Sequence, residues 1–139
     1  MIILDTNVLS EALRPKPANS VERWIEAQPP TALFTTAICE AEILSGVRLM
    51  PAGRRRDALE RAVKAIFAED FADRVLPFDT TAATAFAEIA SRRRASGTPI
   101  SEFDAQIAAI AASHGAAVAM RNIMDFTDCG IKIMCPWED

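Results

Sequence analysis

Met1-Ile2-Ile3-Leu4-Asp5-Thr6-Asn7 opens the chain, and the reading of this stretch decides the fold. Four apolar residues in succession predict a strand over 1–5 buried on both faces, the pattern of a parallel sheet. Open α/β sheets bind ligands beyond the carboxyl ends of their strands. The carboxylate of Asp5 therefore falls where such sheets do chemistry. The same place also suits a helix N-cap, and a helix is predicted near 7–13, so capping is an equally simple role for Asp5.

Outward from this segment, strands and helices alternate. Arg14-Pro15-Lys16-Pro17 breaks the first helix. A second helix near 19–27, with Trp24 facing inward, stops at Pro29-Pro30. Leu33-Phe34-Thr35 reads as a short strand. Thr36 then caps a helix to about Met50, and an arginine-rich helix follows over about 53–69. Arg74 to Phe78 reads as a strand, and Asp79 or Thr80 starts a long helix to about Ser96. After the turn Gly97-Thr98-Pro99, Ser101 caps another helix, with Asp104 three residues on in a capping-box-like arrangement. That helix ends at Gly115. Ala116 to Met120 is a buried strand, Arg121 to Gly130 a loop, and Ile131 to Met134 a last strand before Pro136-Trp137. The alternation predicts an α/β sandwich with a mostly parallel central sheet. No repeat, low-complexity tract or linker divides residues 1–139, which read as a single domain.

Composition excludes several classes of function. The formal charge of −4 argues against a protein that grips nucleic acid by bulk positive charge. It leaves room for an enzyme that touches nucleic acid through a metal and a local basic patch. No apolar run approaches a membrane span and no signal peptide is evident, so a cytoplasmic protein is expected. Three cysteines are an odd number and fit a reducing compartment. Cys129 and Cys135 lack zinc-knuckle spacing, and the cysteines read as packing residues. His114, the only histidine, stands at a helix end before Gly115, where a cation suits the dipole. A Ser-His-Asp hydrolase has no support, since no nucleophile turn accompanies that histidine. No glycine-rich phosphate loop is present either. The polar chemistry rests on carboxylates.

Glu42 has Ile38, Cys39, Ser45 and Gly46 as its helical neighbours, all apolar or small. Its carboxylate points either toward the body of the protein or to the rim of the apolar stripe. Glu40 lies opposite and is expected in solvent. Asp104, in the first turn of its helix, is either a dipole-friendly surface acid or part of a site at a strand edge. Asn122 and Asp125 follow the strand ending at Met120, so they emerge at the same kind of edge as Asp5. Two carboxylates about 4 Å apart repel by about 4 kcal/mol at an effective dielectric near 20. A fold keeps such a cluster only if a cation offsets it or protons are taken up. Oxygen-only sites select hard divalent ions such as Mg²⁺ or Mn²⁺. The arginine runs Arg54-Arg55-Arg56 and Arg92-Arg93-Arg94 are expected as solvated helix faces, and Arg121 as the better phosphate or structural contact.

Taken together, Ile3-Leu4-Asp5-Thr6-Asn7-Val8-Leu9-Ser10-Glu11, Glu42-Ile43-Leu44-Ser45-Gly46-Val47, Pro99-Ile100 through Asp104-Ala105-Gln106-Ile107-Ala108-Ala109, Arg121-Asn122 with Asp125-Phe126, and Pro136-Trp137 resemble the PIN-domain ribonucleases, and among them the VapC and FitB-like toxins of toxin–antitoxin pairs. The resemblance runs almost end to end. It implies a three-layer α/β/α fold and Mg²⁺-dependent hydrolysis of RNA phosphodiesters. Asp5, Glu42 and Asp104 match the family's acidic positions, which implies Asp5 and Asp104 as metal ligands and Glu42 as a ligand directly or through water. The fourth acidic place falls to Asn122 or Asp125, with Thr6 and Asn7 orienting the loop or water around Asp5. The resemblance also implies a homodimer and a cognate antitoxin that lays a basic or aromatic segment across the acidic groove, with operator DNA bound only through that antitoxin.

Two departures stand out. Relatives usually carry Thr where Met120 stands and Asn where Cys135 stands. The first supports an alternative reading, a catalytically impaired PIN-like module that binds protein or nucleic acid. A haloacid-dehalogenase-type phosphatase needs a second Asp where Asn7 stands, and a receiver domain needs an early acidic pair and a later lysine that are not found.

Overall fold

In a computed structural model, which describes residues 1–138, Ile2–Leu4 forms β1. Ile3 and Leu4 are sealed in the core, as four successive apolar residues predict. Thr6–Ala12 forms α1, Asn19–Glu26 α2, Leu33–Thr36 β2, Ala37–Arg48 α3 and Arg54–Ala65 α4. Val75–Leu76 is β3, Thr80–Ala95 α5, Glu102–His114 α6, Ala117–Ala119 β4 and Ile133–Met134 β5. Among the described residues these five strands make one sheet in the order β3-β2-β1-β4-β5, every pairing parallel. Helices on both faces complete a three-layer α/β/α sandwich. Among the described residues no helix is long and apolar enough to cross a membrane.

β1 is where the strand order reverses. Ile3 is in register with Phe34 of β2 on one side and with Val118 of β4 on the other. Crossover connections in a parallel sheet bring each following helix to start at the carboxyl edge of the strands, and the crevice at the reversal point is the natural binding place. α1 and α3 each begin directly after a strand there. α6 returns to β4, so its N-terminus lies at that edge as well. Every residue of α6 from Ile107 to Ala111 is fully buried. The small side chains of this Ala-rich helix let it sit close against the sheet, and α5 packs along it.

Several details differ from the sequence reading, among them the last strand, expected over Ile131–Met134 and formed by Ile133–Met134 alone. The helix expected over 53–69 stops at Ala65 and widens into a π-helical turn over Ile66–Asp70. Phe71 N–H bonds the carbonyl of Ile66, and the wider turn lets Phe67 and Phe71 both face the core, their rings 6.2 Å apart. The strand expected over 74–78 shrinks to two residues. Pro77 has no N–H for a ladder, and Phe78 packs edge-on against Phe86 of α5. Trp24 is half-buried at the edge of the core rather than inside it.

Candidate active site

The carboxyl end of β1 is held from both sides. Asp5 N–H donates to the carbonyl of Ala119 at 3.0 Å, and the buried hydroxyl of Thr35 donates to the carbonyl of Leu4 at 3.2 Å. Asp5 is thereby placed at the reversal point of the sheet with only 4% of its surface exposed. It stands at the N-cap of α1, yet its side chain makes no capping hydrogen bond. The helix starts that do use side-chain caps are elsewhere: Thr36 on α3, Asp79 on α5 and Ser101 on α6. Capping therefore does not account for Asp5. Burial pushes its carboxyl up from 3.8 to about 6. The neighbouring N–H groups of Thr6 and Asn7 pull the other way, and the charges of Asp104 and Glu42 add to the rise.

Glu42 comes in from the second turn of α3. It is half-buried and accepts a 2.8 Å hydrogen bond from Thr6 Oγ1. Burial raises its pKa, the Thr6 hydroxyl lowers it and Asp104 raises it. A groove of about 350 Å³ runs from Thr6 and Glu42 past Gly46 to Met50 and Leu59. Glu40, expected in solvent, is partly covered and makes no contact with this cluster among the described interactions.

Asp104 enters from the first turn of α6, whose N-cap Ser101 takes the Asp104 N–H at 3.2 Å. Ser101 thus caps the helix while its hydroxyl also bears on the half-buried Asp104 carboxylate. Burial raises its pKa, the Ser101 hydroxyl lowers it, Asp125 raises it and Arg93 lowers it. The structure thus brings Asp5, Glu42 and Asp104 into mutual electrostatic contact from three separate elements, with Asp125 beside Asp104. As placed, the described residues contain no closed set of three acidic, histidine or cysteine side chains around one point.

The other expected residues lie at varying distances from this centre. Asn7 is exposed in the first turn of α1 and approaches Asp5 through its backbone N–H. Asn122 is exposed, and its carbonyl takes the Asp125 N–H at 3.1 Å in the 3₁₀ turn Ile123–Phe126. Asp125, one of the two residues weighed for the fourth place, carries a charge that bears on Asp104. Arg121 is turned to structure: its guanidinium stacks 5.1 Å from the ring centre of Trp137. Met120 is buried to 1% exposure, one residue beyond β4, and its N–H bonds the carbonyl of Met134. Cys39 is buried beneath Asp5, and burial pushes its thiol up to about 11, as suits a packing residue.

The reading of Arg92-Arg93-Arg94 as a solvated face is corrected at its centre. Arg93 is 5% exposed. Its inward direction was legible in the helical spacing of Ala82, Phe86, Ile89 and Arg93, which is the apolar stripe of α5. Three adjacent arginines drew attention to charge and away from that stripe. Glu11, in the opening segment, is also buried. It accepts from Ala18 N–H at 3.1 Å and from Arg14 at 3.4 Å, closing the turn into α2 and standing apart from the acidic cluster.

Comparison with known proteins agrees with this architecture. Residues 2–126 match the family described as PIN domain. The plasmid stability protein StbB of Pseudomonas syringae pv. tomato is 42% identical over 138 residues, 99% of each chain. The VapC ribonuclease Y4jK of Sinorhizobium fredii is 40% identical over 138 residues, again 99% of each. Toxin FitB of Neisseria gonorrhoeae is 36% identical over the full length of both. A solved structure, FitAB bound to an IR36 DNA fragment, superposes with a TM-score of 0.94 at 35% identity, over 100% of this chain and 97% of that one.

Proposed function

The chain belongs to the PIN domain family, and on that premise we propose that it is a Mg²⁺- or Mn²⁺-dependent endoribonuclease, the toxin of a toxin–antitoxin pair. One observation carries the reading. Acids from the end of β1, from α3 and from α6 meet at the reversal point of a parallel sheet, Asp104 and Glu42 raising the pKa of Asp5 and Asp104 that of Glu42, while Arg93 offsets charge at Asp104 alone. Such a cluster is what a divalent ion relieves, and an oxygen-only donor set selects a hard one. Hard divalent ions such as Mg²⁺ usually keep several of their waters, so they do not require every acid to bind directly.

Asp5 and Asp104 are the proposed ligands, with Glu42 binding directly or through water and Asp125 as the fourth acid. When bound, the ion supplies charge neutralisation at the scissile phosphate and an activated water. The protein's own groups do the rest. Thr6 fixes one oxygen of Glu42, the Ser101 hydroxyl bears on Asp104, and the sheet holds Asp5 in place through Ala119. Asn7 and Asn122 stand by to hold water, and Arg121 orders the loop through Trp137.

The naming of the relatives as a VapC ribonuclease and toxin FitB supports the substrate class and the cellular role, and the FitAB complex supports a partner through which DNA is bound. We extend this to a cytoplasmic single PIN domain, 1–139, that forms a homodimer and is silenced by a small antitoxin carrying a basic segment. An acidic groove favours such a cationic partner electrostatically. The deciding experiment expresses the chain without its partner, wild type beside Asp5→Asn, and maps RNA 5′ ends. New ends that require both Mg²⁺ and Asp5 are expected. Wild-type protein that leaves RNA intact under Mg²⁺ or Mn²⁺ would overturn the assignment.

A further inference from the structure

Arg93 is a buried cation without a carboxylate at ion-pair distance among the described residues. Burying a charge this way is costly unless its donors are used. They are used on backbone carbonyls. Nε donates to Thr98 O at 2.6 Å, and Nη1 donates to Asp125 O at 2.8 Å and Thr127 O at 2.9 Å, with the Cys129 Sγ at 3.7 Å. Next to it, the Nε of exposed Arg92 donates to Asp128 O at 3.2 Å. These acceptors belong to two segments that are otherwise separate: the α5–α6 turn, which leads to Ser101 and Asp104, and the loop that carries Asp125.

We propose that Arg93 is a positioning residue for the acidic site: its planar fork ties the α5–α6 turn to the loop over 121–130 and so sets Asp125 against Asp104. This rests on the nuclease reading of the site. A single guanidinium spans the three carbonyls because its donors diverge in one rigid plane. A lysine ammonium at the same place is a point charge on a flexible stem and reaches fewer of them at once.

The test uses the full chain with Arg93→Lys and, as a second variant, Arg93→Gln, beside Arg55→Lys on the exposed face of α4 as a control. Folding is checked by a cooperative melt, loop order by amide exchange, and the site by Mn²⁺ titration followed by electron paramagnetic resonance. The expected result for a folded Arg93 variant is exchange about tenfold faster within 121–130 and the α5–α6 turn. Mn²⁺ binding should weaken about tenfold. The cleavage defect should lie in kcat rather than in KM for RNA, and it should persist at temperatures where the melt shows the variant fully folded, which a merely destabilised protein would not show. Wild-type loop exchange and Mn²⁺ affinity in a folded Arg93→Lys would overturn the proposal. Unfolding of both variants would overturn it too, since Arg93 would then serve the core alone. If the wild type neither binds Mn²⁺ nor cuts RNA, the nuclease reading falls by itself. Exchange then decides the clamp: a rise confined to the two segments supports it, and an unchanged or uniform pattern sinks it.

Discussion

Thr6 Oγ1 donates a 2.8 Å hydrogen bond to Oε1 of Glu42, joining the first turn of α1 to the second turn of α3 across 36 positions of sequence. The bond orients one carboxylate of the acidic cluster and couples it to the residue directly after Asp5. It also offsets part of the rise that burial and Asp104 impose on Glu42. Thr6→Val keeps the shape and removes the donor. Stability should fall by about 1 kcal/mol, the net worth of one such bond at a half-buried site. Metal-dependent cleavage should fall about tenfold. Thr6→Ser should recover most of the activity, and Mg²⁺ titrations of the three proteins check the order.

Asp5 gives the fold a pH dependence of definite sign. Its carboxyl titrates at about 6 in the folded protein against 3.8 in the reference state. The native state therefore holds the proton more tightly, and the stability from this group is complete below 3.8 and lost as pH rises through about 6. The difference is on the order of 3 kcal/mol. In metal-free protein, Asp5→Asn should melt close to wild type at pH 4 and well above it at pH 7, while abolishing cleavage. Scanning calorimetry across that range checks it; a variant less stable than wild type at pH 7 would contradict the assigned burial penalty.

Divalent metal should reverse that penalty. At about one hundred times its dissociation constant, Mg²⁺ should stabilise the folded wild type by about 2.7 kcal/mol. Asp5→Asn and Asp104→Asn should gain little or nothing under the same conditions. Thermal melts with and without chelator supply the comparison.

The charge of Asp125 bears on Asp104, and the proposed site takes it as the fourth acid. Asp125→Asn should therefore weaken Mn²⁺ binding by about tenfold. Asn122→Ala should stay within about threefold of wild type in affinity. The opposite ranking in a binding titration would return the fourth place to Asn122.

Ser101 takes the N–H of Asp104 and its hydroxyl also lowers the pKa of that acid's carboxyl. Ser101→Ala should cost about 1 kcal/mol in stability. Its effect on cleavage should exceed that of Asp79→Ala, which removes the equivalent cap of α5, far from the acids. Paired denaturant melts and cleavage rates separate the two.

The chain's linear pattern determined a good deal. The doubly buried opening strand, the Ala-rich helix ending at Gly115, and the caps at Thr36, Asp79 and Ser101 were all legible because each depends on neighbours within one or two turns. So was the α/β class, since alternation of strand and helix leaves a parallel sheet as the economical packing. The acids Asp5, Glu42 and Asp104 were legible as candidates, yet each kept a local alternative, because an isolated acid at a strand end or in a first helical turn is favourable on its own.

Only the tertiary structure brings those acids together. Placing β1 between β2 and β4 is a long-range pairing, and it is what buries Asp5, denies it a capping bond and exposes it to the charges of two distant helices. The bond from Thr6 to Glu42, the approach of Asp125 to Asp104 and the inward turn of Arg93 arise in the same way. Electrostatic and hydrogen-bond energies depend on distances through space, and 36 or 99 positions along a chain say nothing about those until the sheet has closed.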